Sequence, residues 1–251
     1  MKRPIALAVA LGLIVVSSAA TASAATRSFF RLDPSGTPYA QIGQDFSFVR
    51  ATQPMAWNAS GGLVGASGGV RVGDWYASIL VNADGSRLFV TQIRTKIGVP
   101  TGTPAAGGSC DPLWEPTPGE YSMLCRVPFS TALGGKTYRL QQISASLNGP
   151  ITQFDSYFQV KNGPRFHVGT IRVPQRGLQL DSSLYDQSSI YSATCGPFPR
   201  SEIVFGPPTF RKANGVGTNG RYVSSDMFGS CNGSAATAVQ FADGAYHRLG
   251  N

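Results

Sequence analysis

Tyr157, Gln159, Arg165 and His167 bring a phenol, an amide, a guanidinium and an imidazole into one short stretch, ITQFDSYFQVKNGPRFHVGTIRV, residues 151–173. Side chains two apart on a β-strand share a face. A three-residue loop at Asn162-Gly163-Pro164 makes this stretch a hairpin with Phe154, Phe158, Val160, Phe166 and Val168 on one face. Gln153, Asp155, Tyr157, Gln159, Lys161, Arg165 and His167 then share the other, with Gln159 opposite His167. A two-residue Asn162-Gly163 turn would set Phe158 opposite His167 and mix both faces. The polar set suits sugar recognition, because Tyr stacks on the C–H face of a ring while Gln and Arg fork onto hydroxyls or a carboxylate. The solvated side of a half-buried hairpin shows the same pattern without any ligand. Trp57 and Trp114 are further candidate stacking platforms, whereas Trp75 lies on an alternating strand and reads as core.

Other chemistry is weakly supported. The stretch GSCDPLWEPTPGEYSMLCRVPF (108–129) holds Glu115 and Glu120 between Cys110 and Cys125, but Pro112, Pro116 and Pro118 argue against a regular strand and no histidine is near in sequence. It reads as a disulfide-closed loop with Trp114 at its crest rather than as an acid/base pair. GASGG (65–69) matches G-x-S-x-G at Ser67, yet that motif needs a strand before it and a helix after it. His167 and His247 are the only histidines, so any Ser-His mechanism must use one of them. No C-x-x-C or D-x-[DN]-x-[DN]-G spacing occurs, and neither metal nor cofactor is expected.

The N-terminus orders Lys2 and Arg3, an apolar run from Ile5 to Val16, and Ala22-Ser23-Ala24, which is the pattern of a secretory signal peptide over residues 1–24. No later window is long and apolar enough for a spanning helix, so the exported chain is expected to be soluble, without stable membrane insertion once the leader is removed. The formal net charge is +8 for the whole chain, and most of the positive charge is arginine. Arginine suits forked recognition of carboxylate, sulfate or phosphate, so an extracellular glycan or another anionic polymer is the expected partner. No basic run longer than Arg211-Lys212 follows the leader, which argues against nucleic acid. The 4 cysteines of an exported chain read as two disulfides. Three connectivities are possible; pairing Cys110 with Cys125 and Cys195 with Cys231 encloses one loop-rich segment each.

With 30 glycines, 17 prolines and no clean 3.6-residue period after the leader, the chain reads as all-β. WYASILVNADGSRLFVTQIR (75–94) forms two alternating runs around Asp84-Gly85, a two-residue turn that sets Val81 opposite Leu88 and Ile79 opposite Val90. Its other face carries Tyr76, Leu80, Phe89 and Ile93, so both sides should be covered. Residues 58–69, 100–108 and 206–220 read as long surface loops. Residues 25–251 form a single domain, with a soft boundary near 100–108.

From the second cysteine onward, CRVPF, GKTYRL, HVGTIRVP and CGPFPRSEIVFGPPT follow one another. That order resembles exported bacterial proteins carrying the domain of unknown function 3472. The matching positions are Cys125, Gly135, Tyr138, Arg139, Leu140, Val168, Gly169, Ile171, Val173, Pro174, Cys195, Pro199, Ser201, Phe205, Pro207 and Pro208, within about half of the exported chain. The resemblance implies a β-rich, exported protein and supplies no catalytic residues. Separately, Arg200-Ser201-Glu202 resembles the Arg-Ser-Glu stretch of jelly-roll alginate lyases, where it precedes the tyrosine-bearing strand instead of following it.

The expected protein is an antiparallel β-sandwich, jelly-roll-like and lectin-like in outline, with two disulfides. Its expected role is non-catalytic binding of extracellular carbohydrate or cell-wall polymer through Trp57, Trp114, Tyr157, Gln159, Arg165 and His167. A polysaccharide lyase using Tyr157, Gln159, Arg165, His167 and Arg200 is the first alternative, and a secreted protein-interaction module is the second.

Overall fold

The computed structural model describes residues 22–32, 36–51, 54–113, 117–146, 149–192, 199–228, 231 and 236–250. The first half of the chain forms β1 (Ala22–Arg31), β2 (Pro38–Tyr39), β3 (Gln41–Arg50), β4 (Met55–Gly65), β5 (Gly73–Val81), β6 (Arg87–Thr95), β7 (Thr101–Pro104), β8 (Ser109–Leu113) and β9 (Tyr121–Pro128). The second half forms β10 (Thr137–Ser146), β11 (Thr152–Val160), β12 (Arg165–Val173), β13 (Leu178–Ser192), β14 (Ser201–Phe205), β15 (Thr209–Arg211), β16 (Gly217–Asn219), β17 (Arg221–Phe228), β18 (Ala236–Phe241) and β19 (Gly244–Leu249). No helix occurs among the described residues.

All strand pairs are antiparallel, in two sheets. The first runs β17-β1-β13-β4-β5-β6-β9-β8, with β2 added on β13. The second runs β18-β19-β14-β3-β10-β11-β12-β7, with the short β15–β16 hairpin added on β3. Their inner faces share one core. Phe89 of β6 stacks on Phe158 of β11 at 4.7 Å, and Phe48 of β3 meets Trp57 of β4 edge-on at 4.9 Å. Such cross-sheet aromatic pairs each add about 0.5–1.5 kcal/mol beyond area burial.

Period-two alternation builds these faces. In β5, Trp75, Ala77, Ile79 and Val81 are buried while Tyr76, Ser78 and Leu80 are half-buried. Phe89 and Ile93 share their core face rather than the opposite one, because the β5–β6 register is shifted by one from expectation: Val81 pairs with Arg87 and Ile79 with Phe89. The loop holds three residues, Ala83-Asp84-Gly85, with Gly85 at φ 85°. Asp84 Oδ1 accepts from Ser86 N at 2.8 Å and Ser86 Oγ at 2.7 Å, which favours that longer turn.

Three expected loops are strand in part. Residues 58–65 lie in β4, with Ala59, Leu63 and Val64 fully buried. The small residues fit crowding: a Cβ on Gly61 would sit 2.8 Å from both Ser183 O and Trp75 Nε1. Residues 101–104 form edge strand β7 on the second sheet, and Gly108 N bonds Ala105 O at 2.9 Å as the chain crosses to β8 on the first. The stretch read as a soft boundary is therefore a sheet-to-sheet crossover. Part of 206–220 forms β15 and β16.

Cys110 and Cys125 are directly opposite on β8 and β9 and form a disulfide. The segment read as a stapled loop is a stapled hairpin; Pro112 is tolerated because β8 is an edge strand. This bridge packs over two glycines of the other sheet: a Cβ on Gly102 would lie 2.6 Å from Cys110 Cβ, and one on Gly169 2.7 Å from Cys125 Cβ. Cys195 and Trp114 lie outside the described residues, so of the two expected disulfides the structure describes one, Cys110–Cys125.

Candidate functional site

The hairpin β11–β12 closes through Lys161-Asn162-Gly163, one residue earlier than expected, with Asn162 at φ 58° and Val160 N bonded to Pro164 O at 3.1 Å. Asn tolerates this left-handed conformation better than most residues. Gln159 consequently faces Arg165 and Tyr157 faces His167. A register shift next to Tyr157 then restores the apolar face, so Phe154, Phe158 and Val168 are buried while Gln153, Asp155, Tyr157 and Gln159 stay half-buried on the outside.

Neighbouring strands extend this set into two cross-strand rows. Asp45 of β3, Arg139 of β10, Gln159 of β11 and Arg165 of β12 form one; Gly43, Gln141, Tyr157 and His167 form the next. Each crosses four strands, roughly 14 Å at the usual interstrand spacing. Arg139 Nη1 lies 3.0 Å from Asp45 Oδ1. The Arg165 guanidinium carbon sits 3.7 Å from the Tyr157 ring centroid, and the His167 ring is 4.9 Å from the same ring. Arg165 therefore already occupies one stacking face of Tyr157, and a sugar would meet the guanidinium edge and the phenol before the ring. Below this, Asp155 Oδ1 accepts from Thr170 Oγ1 at 2.5 Å and lies 3.5 Å from His167 Nε2. That carboxylate can orient the imidazole.

The remaining candidates separate from this face. Trp57 is fully buried against Phe48 and presents no surface to a ligand, which corrects its expected role as a platform; bulk, not exposure, placed it in the core. Trp75 is buried as expected. Arg200 does not join the lyase set, since β3 and β10 stand between β14 and β11 and its guanidinium is paired with Glu202. Glu120 pairs with Lys96 at 3.4 Å beside Arg94, in a cleft whose other carboxylate, Asp74, is held by Arg71 and Arg94. Glu115 lies outside the described residues. Ser67 stands in a turn with no helix after it.

His247 has a different setting. It is fully buried, with Ser28 Oγ 2.7 Å and Asp186 Oδ1 3.2 Å from Nε2, and Ser188 Oγ 3.2 Å from Nδ1. Gln44 Nε2 donates to Asp186 Oδ2 at 3.1 Å. A hydrolytic triad puts carboxylate and serine on opposite ring nitrogens. Here Ser28 and Asp186 crowd one nitrogen, and no substrate can reach them. Burial lowers the His247 pKa to about 3 and, for the same reason, raises that of Asp186 well above its ordinary value despite the Gln44 bond, so burial favours the neutral form of each.

Arg139, Gln141 and Asp45 were missed in the sequence. The alternation Tyr138-Arg139-Leu140-Gln141 marks Arg139 and Gln141 as outward, but only strand pairing brings them beside Gln159 and Tyr157. No family model matches the chain and no curated protein matches it. Fold and side-chain geometry therefore carry the functional reading.

Proposed function

We propose that this is an exported, jelly-roll-like β-sandwich that binds extracellular carbohydrate or cell-wall polymer carrying anionic groups, without turning it over. The observation that supports this reading is the pair of rows on the open face of the second sheet, Asp45-Arg139-Gln159-Arg165 beside Gln141-Tyr157-His167. Forked donors at Arg139 and Arg165 suit carboxylates, and the amides between them suit hydroxyls. The leader-like N-terminus and the Cys110–Cys125 disulfide support export, with a second disulfide between Cys195 and Cys231. Among the described residues no helix is long and apolar enough to cross a membrane. The segments that resemble domain of unknown function 3472 fall on β9, β10, β12 and β14.

Retention on insoluble polyuronates, chitin and peptidoglycan tests the reading. The protein should be retained by at least one anionic matrix and released by salt, and Arg139→Ala with Arg165→Ala should abolish retention; no retention on any matrix would overturn it. The lyase alternative is favoured by Asp155 and Thr170 around His167, next to Tyr157 and Arg165. Release of unsaturated uronate, read by ultraviolet absorbance on alginate, pectate and glycosaminoglycans, separates the two: turnover would establish the lyase, and none would remove it for those substrates. The protein-interaction alternative would instead use exposed apolar residues such as Val223, Met227, Val239 and Phe241.

A further inference from the structure

At the sheet edges opposite the disulfide, β17 and β18 leave a cavity of about 460 Å³ lined by Asn219, Gly220, Arg221, Tyr222, Gln240 and Asp243. That volume lies in the range of small-ligand sites. Strands β19, β14 and β3 separate β18 from β10, and Asn219 stands in register with Thr209 and Gly43, so the cavity lies beyond the end of the second row that is away from Tyr157 and His167.

Three features mark it as more than a surface dent. The Arg221 guanidinium and Asp243 carboxylate are exposed and have no ion-pair partner among the described residues, although eight arginine or lysine pairs with carboxylates occur there, so a donor fork and an acceptor pair are free at one cavity. The amides are half-used: Gln240 Nε2 donates to Ala242 O at 3.2 Å, leaving its oxygen, and Asn219 Oδ1 accepts from Thr209 at 3.2 Å, leaving its NH2 group. Asp243 is presented by a tight turn in which Ala242 takes φ 50°, a conformation that a non-glycine residue rarely holds.

Tyr222 connects the cavity to the interior. Its hydroxyl is 2.6 Å from Ser225 Oγ, which is 2.7 Å from Ser28 Oγ, which is 2.7 Å from His247 Nε2. A chain of hydroxyls thus runs from the cavity wall to the buried His247–Asp186 pair. Tyr222 and Ser225 are half-buried, whereas Ser28 and His247 at the inner end are fully buried, where apolar residues of similar size could pack instead, so the polar inner end calls for a use beyond packing. Along such a chain the proton on His247 Nε2 decides the direction of every bond. If Nε2 donates to Ser28, Tyr222 accepts from Ser225 and turns its own proton towards the cavity.

We infer that this cavity binds a single uronate-type sugar unit, with Arg221 on the carboxylate, Asp243 and the free amide groups of Asn219 and Gln240 on hydroxyls, and Tyr222 as a contact whose hydroxyl is positioned through Ser225 and Ser28. This site stands independently of the polymer-binding face, although both belong to a glycan-directed protein.

The test is titration of glucuronate, galacturonate and methyl glucoside into ¹⁵N-labelled protein. A uronate should give saturable shifts at residues 219–222 and 240–243, at least ten-fold weaker with methyl glucoside and with Arg221→Gln. Ser225→Ala should weaken uronate binding several-fold at unchanged melting temperature, and Ser225→Thr should restore it. Arg139→Ala with Arg165→Ala, which disables the outer face, should leave these shifts intact. Absence of saturable shifts at 219–222 and 240–243, or unchanged affinity in Arg221→Gln, would overturn the inference whatever the outer face binds.

Discussion

Replacing Asp186 by Asn should change how stability depends on pH in a way that a surface carboxylate could not. In the unfolded chain Asp186 ionises near 3.8 and His247 near 6.5; in the folded protein burial raises the first and lowers the second to about 3. Between pH 3.8 and 6.5 the unfolded chain holds one proton on the pair, on histidine, and the folded protein also holds one, on the aspartic acid. The pair then contributes no slope. Above pH 6.5 the unfolded pair holds none, so wherever the folded carboxyl is still protonated stability falls by about 1.4 kcal/mol per pH unit. In Asp186→Asn only His247 remains: its contribution is complete above pH 6.5 and is lost on acidification towards 3. Wild-type stability minus variant stability should therefore fall with rising pH from 3.8 upward. For a chain of this size each unit corresponds to roughly 3–5 °C in melting temperature. Differential scanning calorimetry of both proteins from pH 4 to 9 reads this directly. A difference that is flat with pH, or that rises, would refute the assignment of a neutral buried pair.

Other substitutions separate core from surface. Trp57→Ala should destabilise by about 3–5 kcal/mol in chemical denaturation, as truncation of a buried tryptophan does, and should leave the outer-face residues' glycan affinity unchanged under native conditions. Cys110→Ala with Cys125→Ala opens a bridge spanning 15 residues and should cost about 3 kcal/mol by the same assay. Ala242→Gly should stabilise by about 0.4–1 kcal/mol, read as a higher denaturation midpoint, because glycine holds the positive φ without strain. Peptide mapping without reduction should recover Cys195 linked to Cys231.

The legible part of the fold came from period two. Gln153 to Lys161 alternates so regularly that the partition of β11 into apolar and polar sides follows from spacing alone, and the two sheets follow from several such runs. Register was less legible: in both hairpins the loop lay one residue away, because a left-handed Gly85 or Asn162 decides where a turn closes. Strand β4 was hidden because Asn58 to Gly65 is rich in residues that usually build turns, and only the crowding of Gly61 by Trp75 and Ser183 from the neighbouring strands explains why a small residue is needed there. The Asp186–His247 pair joins β13 to β19, and its surroundings come from β1 and β3; nothing local in sequence couples them. The same holds for Arg139, whose partners Asp45 and Gln159 come from separate strands.

In the proposed function the rows of Arg139 and Arg165 hold an anionic glycan. Isothermal titration of polygalacturonate oligomers into wild type and into the Arg139→Ala, Arg165→Ala variant, at two salt concentrations, tests it most directly. The prediction is saturable binding by the wild type that weakens with salt and drops at least ten-fold in the variant while both proteins melt within a few degrees of each other. Equal affinity in wild type and variant, or binding indifferent to salt, would contradict it.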